Sequence, residues 1–247
     1  MPKYSVIIPV YNEATTIEQI LLRVQEVKID KEIIVVDDCS TDCTKEFLKL
    51  IDSKKLKVKS FKTPSLKSNL IIDNINIFYN QENTGKGAAL HKGFLESKGD
   101  IIIIQDADLE YDPDDYYALI KPIEQGIADV VYGSRFIGGG THRVLFYWHS
   151  VANNYLTMLS NIFSNLNLTD VWTCYKVFKK EVLDDINLKE KRFGFEPEFT
   201  QKVANKKFRI YEVPVSYYGR TYEEGKKINW KDGVRALWCV IYYKFST

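Results

Sequence analysis

Three runs of apolar residues constrain this chain most: YSVIIPV at 4–10, EIIVV at 32–36 and IIII at 101–104. They are apolar at successive rather than alternate positions, so each strand must be covered on both faces. The segment after the first run has a different period. Ile17, Ile20, Leu21 and Val24 fall at i, i+3, i+4 and i+7, one face of a helix. Thr15 followed by Glu18 fits a capping box at its start. A second helix is expected over Thr44 to Ile51. Strands buried on both sides and alternating with helices predict an α/β domain on a parallel sheet. NIFYN (76–80) and ADVVYGSRF (128–136) read as further strands, and 83–97 and 112–126 as further helices. No repeat or low-complexity linker breaks the chain, so one domain over 1–247 is expected.

In such a sheet, ligands bind beyond the carboxyl ends of the strands. Here those ends carry PVYNE, DDCSTD, DAD and GSR, four polar clusters that should meet in one crevice. The acids after IIII are the most demanding. In an extended segment Asp106, Asp108 and Glu110 would share one side. Like charges so placed raise one another's pKa unless a cation lies among them. Oxygen ligands of this kind suit Mg2+ or Mn2+, with substrate phosphates completing the shell. The competing reading is a solvated acidic loop. Arg135, in GSR, either offers its planar fork to a diphosphate or pairs with a loop carboxylate. RTYEEGKKINWKDG (220–233) reads as a basic loop that closes on phosphates or as a solvated turn.

Other classes are disfavoured. Lys and Arg number 34 against 33 acids, a net charge of +1, which argues against nucleic-acid binding. Cys39 and Cys43 lack a second ligand pair at zinc spacing, and four scattered cysteines make no disulfide framework. PVYNEAT is not G-x-G-x-x-G, and NTGKGAAL lacks the P-loop pattern. The sequence enters its first strand at once, so no leader is expected, and its longest apolar runs fall short of the ~20 residues a span needs. A cytoplasmic protein is expected. Residues 144–163 and 236–245 are aromatic and apolar. They read as helices on a membrane surface or as core or dimer helices.

SVIIPVYNE, VVDDCSTD, NTGKGAAL, DADLE and GSRF, in this order, resemble the nucleotide-sugar half of family 2 glycosyltransferases. TDVWTCYKVF, FGFEPEF and RTYEEGKKINWKDG extend the likeness over nearly the whole chain. It is similar to the branch of dolichol-phosphate mannose synthases and bacterial polyprenyl-phosphate and cell-surface polysaccharide transferases. The resemblance implies a GT-A fold, with 1–135 taking the nucleotide sugar and 136–247 the acceptor. It implies inverting transfer from a UDP- or GDP-sugar to a polyprenyl phosphate or glycan, aided by Mg2+ or Mn2+, with peripheral contact at the inner membrane face.

Carried over by residue, Pro9, Tyr11, Glu13 and Asp38 match base and ribose contacts, joined by Asp37, Lys86 and Ala107. Asp106 and Asp108 match the pair that meets ribose and metal, and Glu110 a further metal ligand. Arg135 matches a diphosphate contact, and Arg220 with Lys226 the basic loop. Asp170, Glu196 and Glu198 fall on the acceptor side, where hydroxyl-accepting relatives place a catalytic carboxylate. Two features depart from the pattern: Trp172 stands where an acid is expected, and 60–75 look like an insertion. The rival readings are a sugar nucleotidyltransferase, which would need a Gly-rich basic loop after the first strand, and a non-catalytic sugar-nucleotide binding module.

Overall fold

The structure, a computed structural model, describes residues 1–53, 70, 73–138, 143–144, 147–220 and 230–246, without the side chains of 149 and 230–232. Seven strands form one sheet in the order β3-β2-β1-β4-β6-β5-β7. They are β1 (Tyr4–Val10), β2 (Lys31–Asp37), β3 (Ile75–Tyr79), β4 (Ile101–Ile104), β5 (Val130–Ser134), β6 (Lys176–Lys179) and β7 (Ile210–Pro214). All pairings are parallel except those of β6, which runs antiparallel to both β4 and β5. Pro214 is tolerated because β7 is an edge strand.

The continuous apolar runs are explained by two cores, one per face. Val6, Ile8, Val10, Ile33 and Val35 pack with helices α1 (Ile17–Glu26), α2 (Thr44–Asp52) and α4 (Tyr116–Glu124). Ile7, Ile34, Val36, Ile102 and Ile104 face the other way, with α3 (Lys86–Glu96) and α7 (Phe195–Asn205). The predicted α1 face, Ile17, Ile20, Leu21 and Val24, is buried as expected. The expected capping box is not formed. The helix begins at Ile17, one residue too late for Thr15 to cap it, and the Thr16 hydroxyl donates to Glu13. Two further long helices, α5 (Tyr147–Ser164) and α8 (Trp230–Phe245), contact each other, and α6 (Val182–Asp185) is a single turn. No described helix is long and apolar enough to cross a membrane.

Register sets the crevice. Val10 lies level with Asp37, and Ile7 with Ile104, so β1, β2 and β4 release their chains along one edge. The glycines of NTGKG let α3 approach a chain segment from the second half. A Cβ on Gly87 would lie 2.2 Å from the Glu190 carbonyl oxygen, and one on Gly85 2.5 Å from Arg192 Cγ. Gly85 also has φ of +103°, a conformation that favours glycine.

Candidate active site

Asp37 and Asp38 end β2 as predicted, and both are buried. Asp38 is occupied by the protein itself. Its Oδ2 accepts from the Gly85 amide at 2.7 Å, and its Oδ1 from the Thr84 amide and the Asn80 side chain at 3.2 and 2.8 Å. Asp37 accepts from the Ser40 amide, and burial raises its pKa. These acids therefore shape the loops that border the crevice. Pro9 and Tyr11, half-buried at the end of β1, flank the same edge. Asn12 adopts a φ of +53° and accepts from the Thr41 amide.

The acids after β4 behave otherwise. The chain is not extended there. Residues 107–110 turn, Leu109 has φ of +64°, and Asp108 Oδ1 accepts from the Glu110 amide at 3.1 Å. Asx turns of this kind break the two-residue alternation, so the three carboxylates meet different partners. Asp106 turns to Lys86, whose Nζ lies 2.8 Å from Oδ1. That ammonium also lies 2.9 Å from Cys174 Sγ and 3.4 Å from Glu196 Oε1. Burial pulls Lys86 down, but Asp106, Cys174 and Glu196 outweigh it and hold it well above the ordinary lysine range. Glu110 accepts from the Tyr217 hydroxyl at 2.9 Å and from the Arg220 amide at 2.8 Å.

The cation beside Asp108 is Arg220. Its guanidinium grips Glu13 through both terminal nitrogens at 3.1 Å, with Asp108 at 3.5 Å and Glu110 at 3.7 Å. Its Nε is buried and, among the described residues, makes no hydrogen bond, with Glu110 Oε1 the oxygen at 3.7 Å. Among the described residues, Arg220 does not offset what burial and like charges do to Asp108. Burial, then Asp106 and Glu110, push it up to about 8 despite Arg220. Among the described residues, no three acidic, thiol or imidazole groups are gathered to hold a metal. The donor set nevertheless fits a hard divalent cation of the type that needs only one or two carboxylates plus substrate oxygens. Asp108 and Glu110 are the carboxylates that could hold one, whereas Asp106 is paired with Lys86.

The other predicted residues divide in the same way. Ala107 is buried in the turn. Arg135 does not present a free fork: Nε and one terminal nitrogen bind Asp170 at 2.6 and 2.8 Å, and Asn153 of α5 accepts from it at 3.3 Å. Asp170 is fully buried, so this pair anchors the loop before β6. Glu198 is also fully buried and accepts from the amides of Lys189 and Glu190 and from Lys202. Its oxygens are committed to holding the 189–190 segment before α7, which leaves Glu196 as the carboxylate that joins the Asp106–Lys86 cluster. Lys226 and most of 60–75 lie outside the described residues. Tyr217 and Cys174 were not foreseen. They reach the site through the Tyr111–Tyr217 bridge and the chain entering β6, contacts with no local sequence signal.

Residues 5–186 match the family model for glycosyl transferase family 2. The chain belongs to that family, and it is a glycosyltransferase. It is 28% identical over 232 residues to an undecaprenyl-phosphate mannosyltransferase of Micrococcus luteus, covering 89% of this chain and 85% of that protein. A polyprenol monophosphomannose synthase of Mycolicibacterium smegmatis is 28% identical over 224 residues, 87% of this chain and 77% of that one. For a dolichol-phosphate mannosyltransferase of Pyrococcus furiosus, also 28% identical, the match covers 91% of this chain but 59% of the relative. Glucosyl-3-phosphoglycerate synthase from Mycobacterium tuberculosis, solved with Mn2+, UDP and phosphoglyceric acid, superimposes with a TM-score of 0.70. That match covers 99% of this chain and 79% of the other at 17% identity, and it establishes the GT-A fold.

Proposed function

We propose that this enzyme transfers a sugar, with inversion, from a UDP- or GDP-sugar to a polyprenyl phosphate, assisted by Mg2+ or Mn2+ at Asp108 and Glu110. The observation that carries this reading is the charge-starved Asp108 at the end of β4, beside Glu110 and Arg220 and facing the Asp106–Lys86–Glu196 cluster. A divalent cation at Asp108 and Glu110 would supply positive charge to the departing diphosphate. The chain's own residues do the rest. Glu13 and the loops shaped by Asp37 and Asp38 border the nucleotide. Asp106 is placed for the ribose, with Lys86 fixing its orientation. Arg220, beside Asp108 and Glu110, follows the diphosphate. The bond from the anomeric carbon to the diphosphate breaks as an acceptor oxygen bonds to the opposite face.

A lipid phosphate is favoured by the second half. Helix α5 carries no Asp, Glu, Lys or Arg, and Trp148, Val151, Tyr155, Met158 and Ile162 form an exposed stripe along it. Val234, Trp238, Ile241 and Phe245 form a second stripe on the adjoining α8. Aromatic residues of this kind suit the lipid headgroup region, and Asn153 ties α5 directly to Arg135. The relatives' names, which specify undecaprenyl, dolichol and polyprenol phosphates, support the same acceptor class. A phosphate acceptor is already an anion and needs no general base. A hydroxyl acceptor is the second reading, favoured by Glu196 beside Lys86, because its carboxylate would take the hydroxyl proton.

The test offers UDP-glucose and GDP-mannose, with Mn2+, against undecaprenyl phosphate and a glycan hydroxyl acceptor. Transfer to the lipid phosphate that persists in Glu196→Gln supports the first reading. Transfer only to the hydroxyl, lost in Glu196→Gln, replaces it with the second.

A further inference from the structure

The acidic cluster after β4 already contains a cation, and it is covalently part of the protein. Arg220 spans three carboxylates from two separate strand ends: Glu13, which follows β1, and Asp108 and Glu110, which follow β4. The Arg220 amide binds Glu110 as well, so backbone and side chain both pin the residue to the proposed cation ligands. The guanidinium is about four-fifths shielded from solvent, as is Asp108. A divalent ion bonded to Asp108 and Glu110 would need the oxygens that Arg220 now faces. The guanidinium and the ion are therefore alternatives unless another anion draws the arginine away. A diphosphate is such an anion, since it matches the planar fork that Arg220 now turns to Glu13.

We infer that Arg220 is a positioning residue that competes with the divalent cation for Asp108 and Glu110, so the site takes the ion together with a nucleoside diphosphate and resists the ion alone. This rests on the metal-assisted reading above and adds an order of events to it. Arg220 transfers from carboxylates to diphosphate as the ion arrives, which keeps an empty site from holding a metal without its donor. An arginine that merely braced the cluster would have the opposite effect, since its removal would scatter the ligands and weaken the ion's hold.

The test counts bound Mn2+ on the full chain by its electron paramagnetic resonance, without nucleotide and then with UDP and with GDP. Arg220→Gln is expected to bind Mn2+ alone at least tenfold more tightly than the unsubstituted protein, yet to bind Mn2+ with nucleotide more weakly. Lys86→Gln removes one positive charge that pairs with Asp106 instead. It is expected to change Mn2+ affinity much less, which separates competition from a general field effect. Arg220→Lys keeps the charge without the fork and carries the same test, with a smaller rise, if the glutamine variant does not fold. Unchanged or weaker nucleotide-free binding in the Arg220 variants overturns the inference, as does an equal rise in Lys86→Gln. If the unsubstituted protein binds no Mn2+ even with nucleotide, the metal-assisted reading itself fails.

Discussion

Two acid pairs lie at the ends of the two parallel strands that flank β1, and they have opposite fates. Asp37 and Asp38, after β2, are supplied with donors by Ser40, Asn80, Thr84 and Gly85, all from their own half of the chain. Asp108 and Glu110, after β4, receive one internal amide bond, and their remaining partners, Tyr217 and Arg220, come from about a hundred residues away. The first pair is finished by local structure. In the second, Asp108 is left in need of charge. A carboxylate whose lone pairs the backbone satisfies is scaffold, and one that burial strands without donors is a place for a ligand.

Substitutions should expose that difference. Asp108→Ala is expected to lower turnover by about 10³-fold, the scale of lost electrostatic stabilisation at a reacting centre. Its melting temperature should stay level or rise, because a carboxylate that burial and like charges penalise has been removed. A large loss of stability would reclassify Asp108 as scaffold. Asp38→Ala should do the reverse in kind. Thermal or urea unfolding is expected to register a loss of about 3 kcal/mol, from several charge-assisted bonds to buried amides, with activity falling only as the 80–85 loop loosens.

Glu198→Gln tests the same distinction within the FEPE segment. It should cost about 2 kcal/mol by removing the charge that pairs with Lys202 and one of the two oxygens that accept from the Lys189 and Glu190 amides, while Glu196→Gln costs little stability. Equal stability effects at 196 and 198 would erase the contrast drawn between them. On the second half, Trp148→Ser with Tyr155→Ser should reduce sedimentation with phosphatidylglycerol vesicles severalfold and leave the melting temperature unchanged. A new dimer-to-monomer shift in its place would assign the stripe to a second copy of the chain.

The smallest effect is a control away from both pairs. Hydrogen bonds from Arg209, opposed by partial burial and aided by Lys179, hold Asp129 below the ordinary carboxylate range. A depressed folded-state pKa stabilises above the unfolded value, and the gain is lost as pH falls through the folded one. Asp129→Asn should therefore flatten the acid limb of the stability profile slightly, since the arginine is exposed and its pairing is screened. Activity should not change.

The first half of the fold was legible because its signals are local. Doubly buried strands, the α1 face and the polar strand ends all follow from residues within one or two turns of each other. The fate of each acid was not. Alternation along DADLE predicted three carboxylates on one side, and the turn at Leu109 divides them. Arg135 carried the features of a diphosphate ligand, and only the distant Asp170 shows where its fork is spent. Strands β6 and β7 went unread: KVFK is four residues with lysines at both ends, and IYEVP closes on a proline at the sheet edge.

The most direct test of the account is sugar transfer to undecaprenyl phosphate with Mn2+, measured in the unsubstituted enzyme, Asp108→Ala and Glu196→Gln. The account predicts an inverted lipid-phosphate product that disappears with Asp108→Ala or with chelation of the ion and persists in Glu196→Gln. Undiminished transfer by Asp108→Ala would contradict it.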